Sequence, residues 1–185
     1  MKKIYILLLA VVCCTFTSCG DDEWDNGDPA MEHIYYFGFE NWGQNNNEFN
    51  NNKVQYTVEK GTTVEIPVQF QSERVRSYDV TVYYYALKND TIQRGVHYQI
   101  TDEKGTVLEP DANGAFSMTF PQAKKGVKNI YLKSLNDGKP GAFDLMTFDP
   151  NAGEIAHPDN ITNSQTKDYE VRAFTRNYKV KVNVK

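Results

Sequence analysis

The sequence predicts an all-β protein built as an antiparallel β-sandwich. Three observations predict it. Several stretches alternate apolar and polar residues with period two, most plainly Val64 to Gln71, which is the pattern of a half-buried strand. Tyr and Phe are abundant, at 12 and 10 of 185 residues, and aromatic side chains suit strands better than helices. No segment carries a helical period, while Gly, Pro and Asn punctuate the chain at close spacing, as they do between sandwich strands.

Taken in order, His33 to Phe39 is the first strand. Trp42 to Asn52 is Asn-rich without a period and reads as a loop. Val54, Tyr56 and Val58 then share a face, and Gly61 turns the chain. Val64, Ile66, Val68 and Phe70 point inward, with Glu65, Pro67, Gln69 and Gln71 opposite. Pro67 has no N–H for a ladder, so this strand is expected at an edge or bulged. Asp79 to Leu87 is the strongest strand, with Val80, Val82, Tyr84 and Ala86 on one face and Thr81, Tyr83, Tyr85 and Leu87 on the other. Gly95 to Ile100 is a short strand or extended turn. Phe116, Met118 and Phe120 alternate until Pro121, and Ile130, Leu132 and Ser134 face inward from the next strand. Tyr178, Val180, Val182 and Val184 alternate with Lys179, Lys181, Asn183 and Lys185 to close the domain. Residues 138–167 fit this scheme badly. They hold three prolines and several Asn and Asp residues, with only Phe143 to Phe148 apolar enough for a strand. An irregular insertion of that length is usually functional or disordered.

The N-terminus sets location. Lys2 and Lys3 precede an apolar run from Ile4 to Val12, too short to span a bilayer and shaped like a secretory signal. The sequence Phe16-Thr17-Ser18-Cys19 is similar to the cleavage site of bacterial lipoproteins, with small residues before Cys19 and Phe16 a looser fit. The acidic run that includes Asp21, Asp22 and Glu23 resembles the surface-export signal of Bacteroides-type lipoproteins. The organisation implied is a signal peptide at 1–18, a lipidated acidic tether at 19–32 and a β-sandwich domain at 33–185 with the irregular insertion 138–167. The implied place is the outer membrane, lipid-anchored and facing the exterior. Acidic residues beside the lipid gain no attraction to anionic headgroups, so they tether the domain rather than dock it.

Composition excludes several functions. The net charge is −4, and residues 1–18 hold two lysines and no acid, so cleavage makes the chain more acidic. Such a chain has no electrostatic footprint for nucleic acid. Cys13 and Cys14 leave with the signal and Cys19 takes the lipid, so no disulfide is expected and the fold rests on its apolar core. His33, His97 and His157 lie far apart, without metal-ligand spacing. There is no nucleophile elbow or phosphate loop, and no pair of carboxylates stands out for acid–base work. The expectation is a protein that is not an enzyme and uses no cofactor.

From about Val64 to Asp137 the chain resembles the Calx-beta family of immunoglobulin-like sandwiches. Gly95-Val96-His97-Tyr98 stands for that family's Gly-x-Asp-Tyr, Phe116 to Pro121 and Gly126 for its apolar strand and following glycine, and Ile130, Leu132 and Asn136-Asp137 for its next strand and acidic pair. The resemblance implies an immunoglobulin-like domain. Family members that bind calcium use loop carboxylates; His97 and Asn136 replace two of them here, leaving Asp137 and loop acids such as Asp102 and Glu103 to supply oxygens if the fold brings their loops together. A hard cation wants six to eight oxygens, so no tight calcium site is expected.

Two features point to binding. Trp42, in a polar loop, and Tyr83 and Tyr85, on the polar face of their strand, are candidates for stacking on sugar rings, although sheet packing uses tyrosines equally well. Asp90-Thr91-Ile92 is similar to the O-glycosylation acceptor of Bacteroides-type exported proteins, with Thr91 as acceptor. Asn160-Ile161-Thr162 has the N-linked form, which belongs to other secretory systems. The leading expectation is a surface lipoprotein that binds polysaccharide or assists the proteins of an uptake complex. The alternative is a structural or adhesion module that binds another protein.

Overall fold

A computed structural model describes residues 32–40, 54–135, 140–152, 161–174 and 177–185. Cys19, Asp21, Asp22, Glu23 and Trp42 lie outside the described residues, as do Asn136, Asp137, His157 and Asn160. The described residues form eleven strands: β1 (Ile34–Phe39), β2 (Gln55–Val58), β3 (Thr63–Gln71), β4 (Val80–Ala86), β5 (Tyr98–Thr101), β6 (Ala115–Phe120), β7 (Gly126–Ser134), β8 (Gly141–Met146), β9 (Thr162–Gln165), β10 (Glu170–Ala173) and β11 (Lys179–Val184). They make an all-β sandwich of two sheets, ordered β5-β7-β3-β1-β10-β9 and β2-β11-β8-β4-β6.

The sheets are mixed, which corrects the expectation of a purely antiparallel sandwich. β1 runs parallel to β10, and β2 parallel to β11. Parallel neighbours need long connections, and here almost the whole domain separates each pair. The early strands meet the late ones, so the first and last parts of the domain close on each other.

The inward faces are those the alternation predicts. Ile66, Val68 and Phe70 of β3, Val80, Val82 and Tyr84 of β4, and Val180, Val182 and Val184 of β11 are buried in one core with Tyr35, Phe37 and Phe39 of β1. Ser134 is also inward and fully buried. Aromatic stacking ties the two sheets together: Phe70 of β3 lies on Phe120 of β6, with ring centroids 4.8 Å apart, and Tyr98 of β5 on Phe143 of β8 at 4.2 Å. Each large apolar side chain removed from water contributes about 1.5–3 kcal/mol before entropy is counted, and this is the source of stability in a domain expected to have no disulfide.

Three elements differ from expectation. β3 is an internal strand, hydrogen-bonded to both β7 and β1, and Pro67 sits within it. The proline is tolerated because β1 ends at Phe39, paired with Val68. Only the Glu40 N–H reaches on to the Pro67 carbonyl, at 3.0 Å. The N–H that proline lacks would face this last rung, where the cost of losing it is least. Second, residues 138–167 contribute β8, which pairs with β11 and β4 inside its sheet, and β9. Third, β10 was not foreseen, although Val171 and Ala173 alternate with Glu170 and Arg172 along it.

Candidate functional site

The two outer faces of the sandwich differ in chemistry. On the five-stranded sheet, Lys179 and Lys181 of β11 flank Asp144 of β8 at 3.7 and 3.8 Å. Such pairs, half exposed to water, contribute little, and this is an ordinary solvated face.

The outer face of the six-stranded sheet is built otherwise. The inward positions of β1, β3 and β7 are fixed by the core, so alternation sends Tyr36, Gly38, Glu65, Pro67, Gln69, Gln71, Val127, Asn129, Tyr131 and Lys133 outward. The strand register stacks them in rows. Arg172, Tyr36 and Gln71 form one row, Gly38, Gln69 and Val127 the next, then Pro67 with Asn129, then Glu65 with Tyr131. The middle of the face is therefore Pro67 and the exposed Val127, with Gly38 buried beside them, bordered by amides, two tyrosines and the charges of Glu65, Lys133 and Arg172. Glu65 accepts a hydrogen bond from the Asn129 amide at 2.6 Å. Arg172 is held by Glu170 at 2.9 Å, and that hydrogen bond raises the guanidinium above its ordinary pKa.

Gly38 is a requirement of this face. A Cβ there would stand 2.6 Å from Cδ2 of Phe174 and 3.0 Å from the Asn177 carbonyl oxygen. Phe174 instead lies over the glycine and stacks on Tyr36, with centroids 5.8 Å apart. Its N–H donates to the Phe37 carbonyl at 2.9 Å, which pins the ring at the border of the face.

The residues singled out from sequence are not brought together. Tyr83 is half-buried on the outer face of the five-stranded sheet. Tyr85 on the same face keeps 9% of its surface exposed, which leaves little ring to stack on a sugar. Burial, then the charges of Asp149 and Asp111, push its hydroxyl up. Thr91 is exposed in a turn where its N–H donates to the Asn89 side chain at 2.7 Å. His97 accepts the Gln93 N–H on Nδ1 at 3.0 Å, so it closes the turn before β5. Asp102 spends one carboxylate oxygen on the N–H groups of Lys104 and Thr106; those bonds, led by Thr106, hold it below the usual carboxylate range. Among the described residues no three His, Cys, Asp or Glu side chains are grouped to hold a metal.

Two clefts open at the ends of the sandwich. One, of about 410 Å³, is lined by the stacked rings of Tyr78 and Tyr169, 5.7 Å apart, with His33, Gln165, Asp168 and Glu170 around them. The hydroxyls of both tyrosines are engaged internally. The Tyr78 hydroxyl meets the buried Tyr35 hydroxyl at 2.8 Å and His33 Nδ1 at 3.1 Å, and burial raises its pKa. The Tyr169 hydroxyl accepts the Thr81 N–H at 3.1 Å. The second cleft lies under the β4–β5 connection.

No family model and no curated protein matches this chain. Among solved structures it is similar to CaCohA2 from Clostridium acetobutylicum, at 12% identity and a TM-score of 0.40, over 82% of this chain and 92% of that one. It is also similar to the third ScaB cohesin of R. flavefaciens, solved with a group 1 dockerin, at 15% identity and a TM-score of 0.32, over 83% and 98% of the two chains. A family 123 glycoside hydrolase from Clostridium perfringens shows 12% identity and a TM-score of 0.31, over 72% of this chain and 23% of the enzyme.

Proposed function

We propose that this chain is a non-enzymatic binding module, held on the outer cell surface by lipid on Cys19, that contacts another protein with the outer face of its six-stranded sheet. The observation that carries the reading is the composition of that face. Its middle is apolar, at Pro67 and Val127, and its surround is polar, at Tyr36, Gln69, Gln71, Asn129 and Tyr131, with Glu65, Lys133, Glu170 and Arg172 farther out. Protein interfaces have this anatomy, an apolar centre with a polar rim, enriched in tyrosine. Amides and tyrosines together supply adaptable hydrogen bonds and rigid contact area. The opposite face, with its Lys–Asp–Lys cluster, lacks that pattern.

The test uses the domain without residues 1–32 as bait for outer-membrane extract of the source cells, alongside a Gln69→Lys, Asn129→Glu variant. Both substitutions are on the water side of the sheet and leave the core untouched. The reading expects one protein retained by the natural domain and lost with the variant. Equal retention by both would remove the face from the account. Binding of the natural domain to a polysaccharide array, with no protein retained, would favour the second reading: polysaccharide recognition in the Tyr78–Tyr169 cleft, where a ring pair and several hydrogen-bonding side chains meet.

A further inference from the structure

The cleft under the β4–β5 connection has the makings of a small-molecule site. It measures about 400 Å³ and is lined by Leu87, Ile92, Arg94, Tyr98, Pro110 and Phe116, with other residues of the same connection. That volume falls in the range of small-ligand pockets, which are mostly apolar with a few convergent polar groups.

Its floor is rigid. Ile92, Tyr98 and Phe116 are each at most 3% exposed. Ile92 packs where the side chain of Gly141 would be, since a Cβ there would stand 2.5 Å from Ile92 Cδ1. The connection above Ile92 is held by Asn89, which donates to the Ala142 carbonyl at 2.8 Å and accepts the N–H groups of Thr91 and Ile92. Tyr98 is fixed by its stack on Phe143, and Phe116 by its stack on Tyr84 at 5.3 Å.

Two polar groups serve this apolar floor. The Arg94 guanidinium stands over the Phe116 ring at 5.9 Å, a cation–π geometry. The second is Tyr98, whose almost wholly buried side chain lines the cleft. A hydrogen bond from a ligand oxygen to a hydroxyl on so buried a side chain is stronger than one made in open water. Arg94 and Tyr98 line the same cleft, and a parallel backbone bridge sets them side by side. Lys88 and Asp90 also line the cleft and offset each other, leaving Arg94 as the cation that decides the sign. Arg94 pairs with Glu109, whose side chain is 68% exposed. A pair so wetted is weak and is readily exchanged for a better-placed carboxylate.

We infer that this cleft binds a small carboxylate with an apolar or aromatic body, the body on Ile92 and Phe116 and the carboxylate between Arg94 and the Tyr98 hydroxyl. The inference is independent of the sheet-face reading, because the residues belong to different elements.

The test is NMR titration of the domain with three probes of one shape: phenylacetate, 2-phenylethanol and 2-phenylethylamine. The expected result is saturable phenylacetate binding, with shifts at Ile92, Arg94 and Tyr98, and binding of the alcohol and amine weaker by about tenfold or more. Tyr98→Phe keeps the ring stack and should weaken phenylacetate binding. Glu109→Gln frees Arg94 at an exposed position and should tighten it. Equal binding of the three probes, no phenylacetate binding, or no change with folded Tyr98→Phe and Glu109→Gln would overturn the inference.

Discussion

The Asn163 side chain occupies the place of a missing strand beside Tyr83. Its Oδ1 accepts the Tyr83 N–H at 2.9 Å, and its Nδ2 donates to the Tyr83 carbonyl at 2.6 Å and to the Thr147 carbonyl at 2.6 Å. Two residues along β4, Thr81 is treated alike: Ser164 donates to its carbonyl at 2.7 Å and the Tyr169 hydroxyl accepts its N–H. β4 pairs with β8 only at Tyr85 and Ala86. Beyond that point the side chains of β9, from the other sheet, and of Tyr169, just before β10, satisfy its open edge and sew the sandwich shut.

Asn163→Leu should therefore destabilise the domain by about 2–3 kcal/mol, because three half-buried backbone groups lose their partner and leucine offers none. Urea unfolding measures this. A change under about 0.5 kcal/mol, the level of an ordinary surface substitution, would mean that water replaces the amide and the seam is not built as described.

Gly38→Ala tests the close approach of Phe174. Alanine restricts the unfolded chain, which alone would stabilise by about 0.4–1 kcal/mol. The clash with Phe174 and the Asn177 carbonyl acts the other way, by about 1–3 kcal/mol. The expected net result is a lower melting temperature. Gly126→Ala is the control, since a Cβ there meets nothing within 4 Å. If both variants melt alike, Phe174 moves aside freely and does not shape the face.

Alkaline pH should expose the burial of Tyr98. Burial pushes its hydroxyl up to about 12, with Arg94 pulling weakly the other way, against about 10 in an unfolded chain. The folded state thus holds a proton that the unfolded state releases. Stability is intact below about pH 10 and falls as pH rises toward 12. Tyr98→Phe removes this group, so its stability should decline less steeply over that window in denaturant melts. Parallel curves for the two proteins would show that Tyr98 ionises as freely folded as unfolded.

Much of the fold was legible in the sequence, because period two marks burial directly. The inward sets of β3, β4 and β11 and the inward turn of Ser134 all follow from it. Pro67 misled because its tolerance depends on where β1 ends, a tertiary fact. β8 shows in the sequence as the apolar stretch from Phe143, but its place between β11 and β4 does not, because a short run among glycines and prolines says nothing of its neighbours. The outward face of β3 was visible as Glu65, Pro67, Gln69 and Gln71, but it looks like any wetted strand. Only the order β7-β3-β1 sets it beside Asn129, Tyr131 and Tyr36, and strand order is not written in periodicity.

The central claim is that the outer face of the six-stranded sheet meets a protein. The most direct measurement is site-specific photo-crosslinking on living source cells, with a benzophenone amino acid at Tyr131 on that face or at Ser117 on the opposite sheet. The account predicts one discrete protein adduct from position 131, none from 117, and loss of the adduct when Gln69→Lys is added. An adduct from 117 and none from 131, or no protein adduct from either, would contradict it.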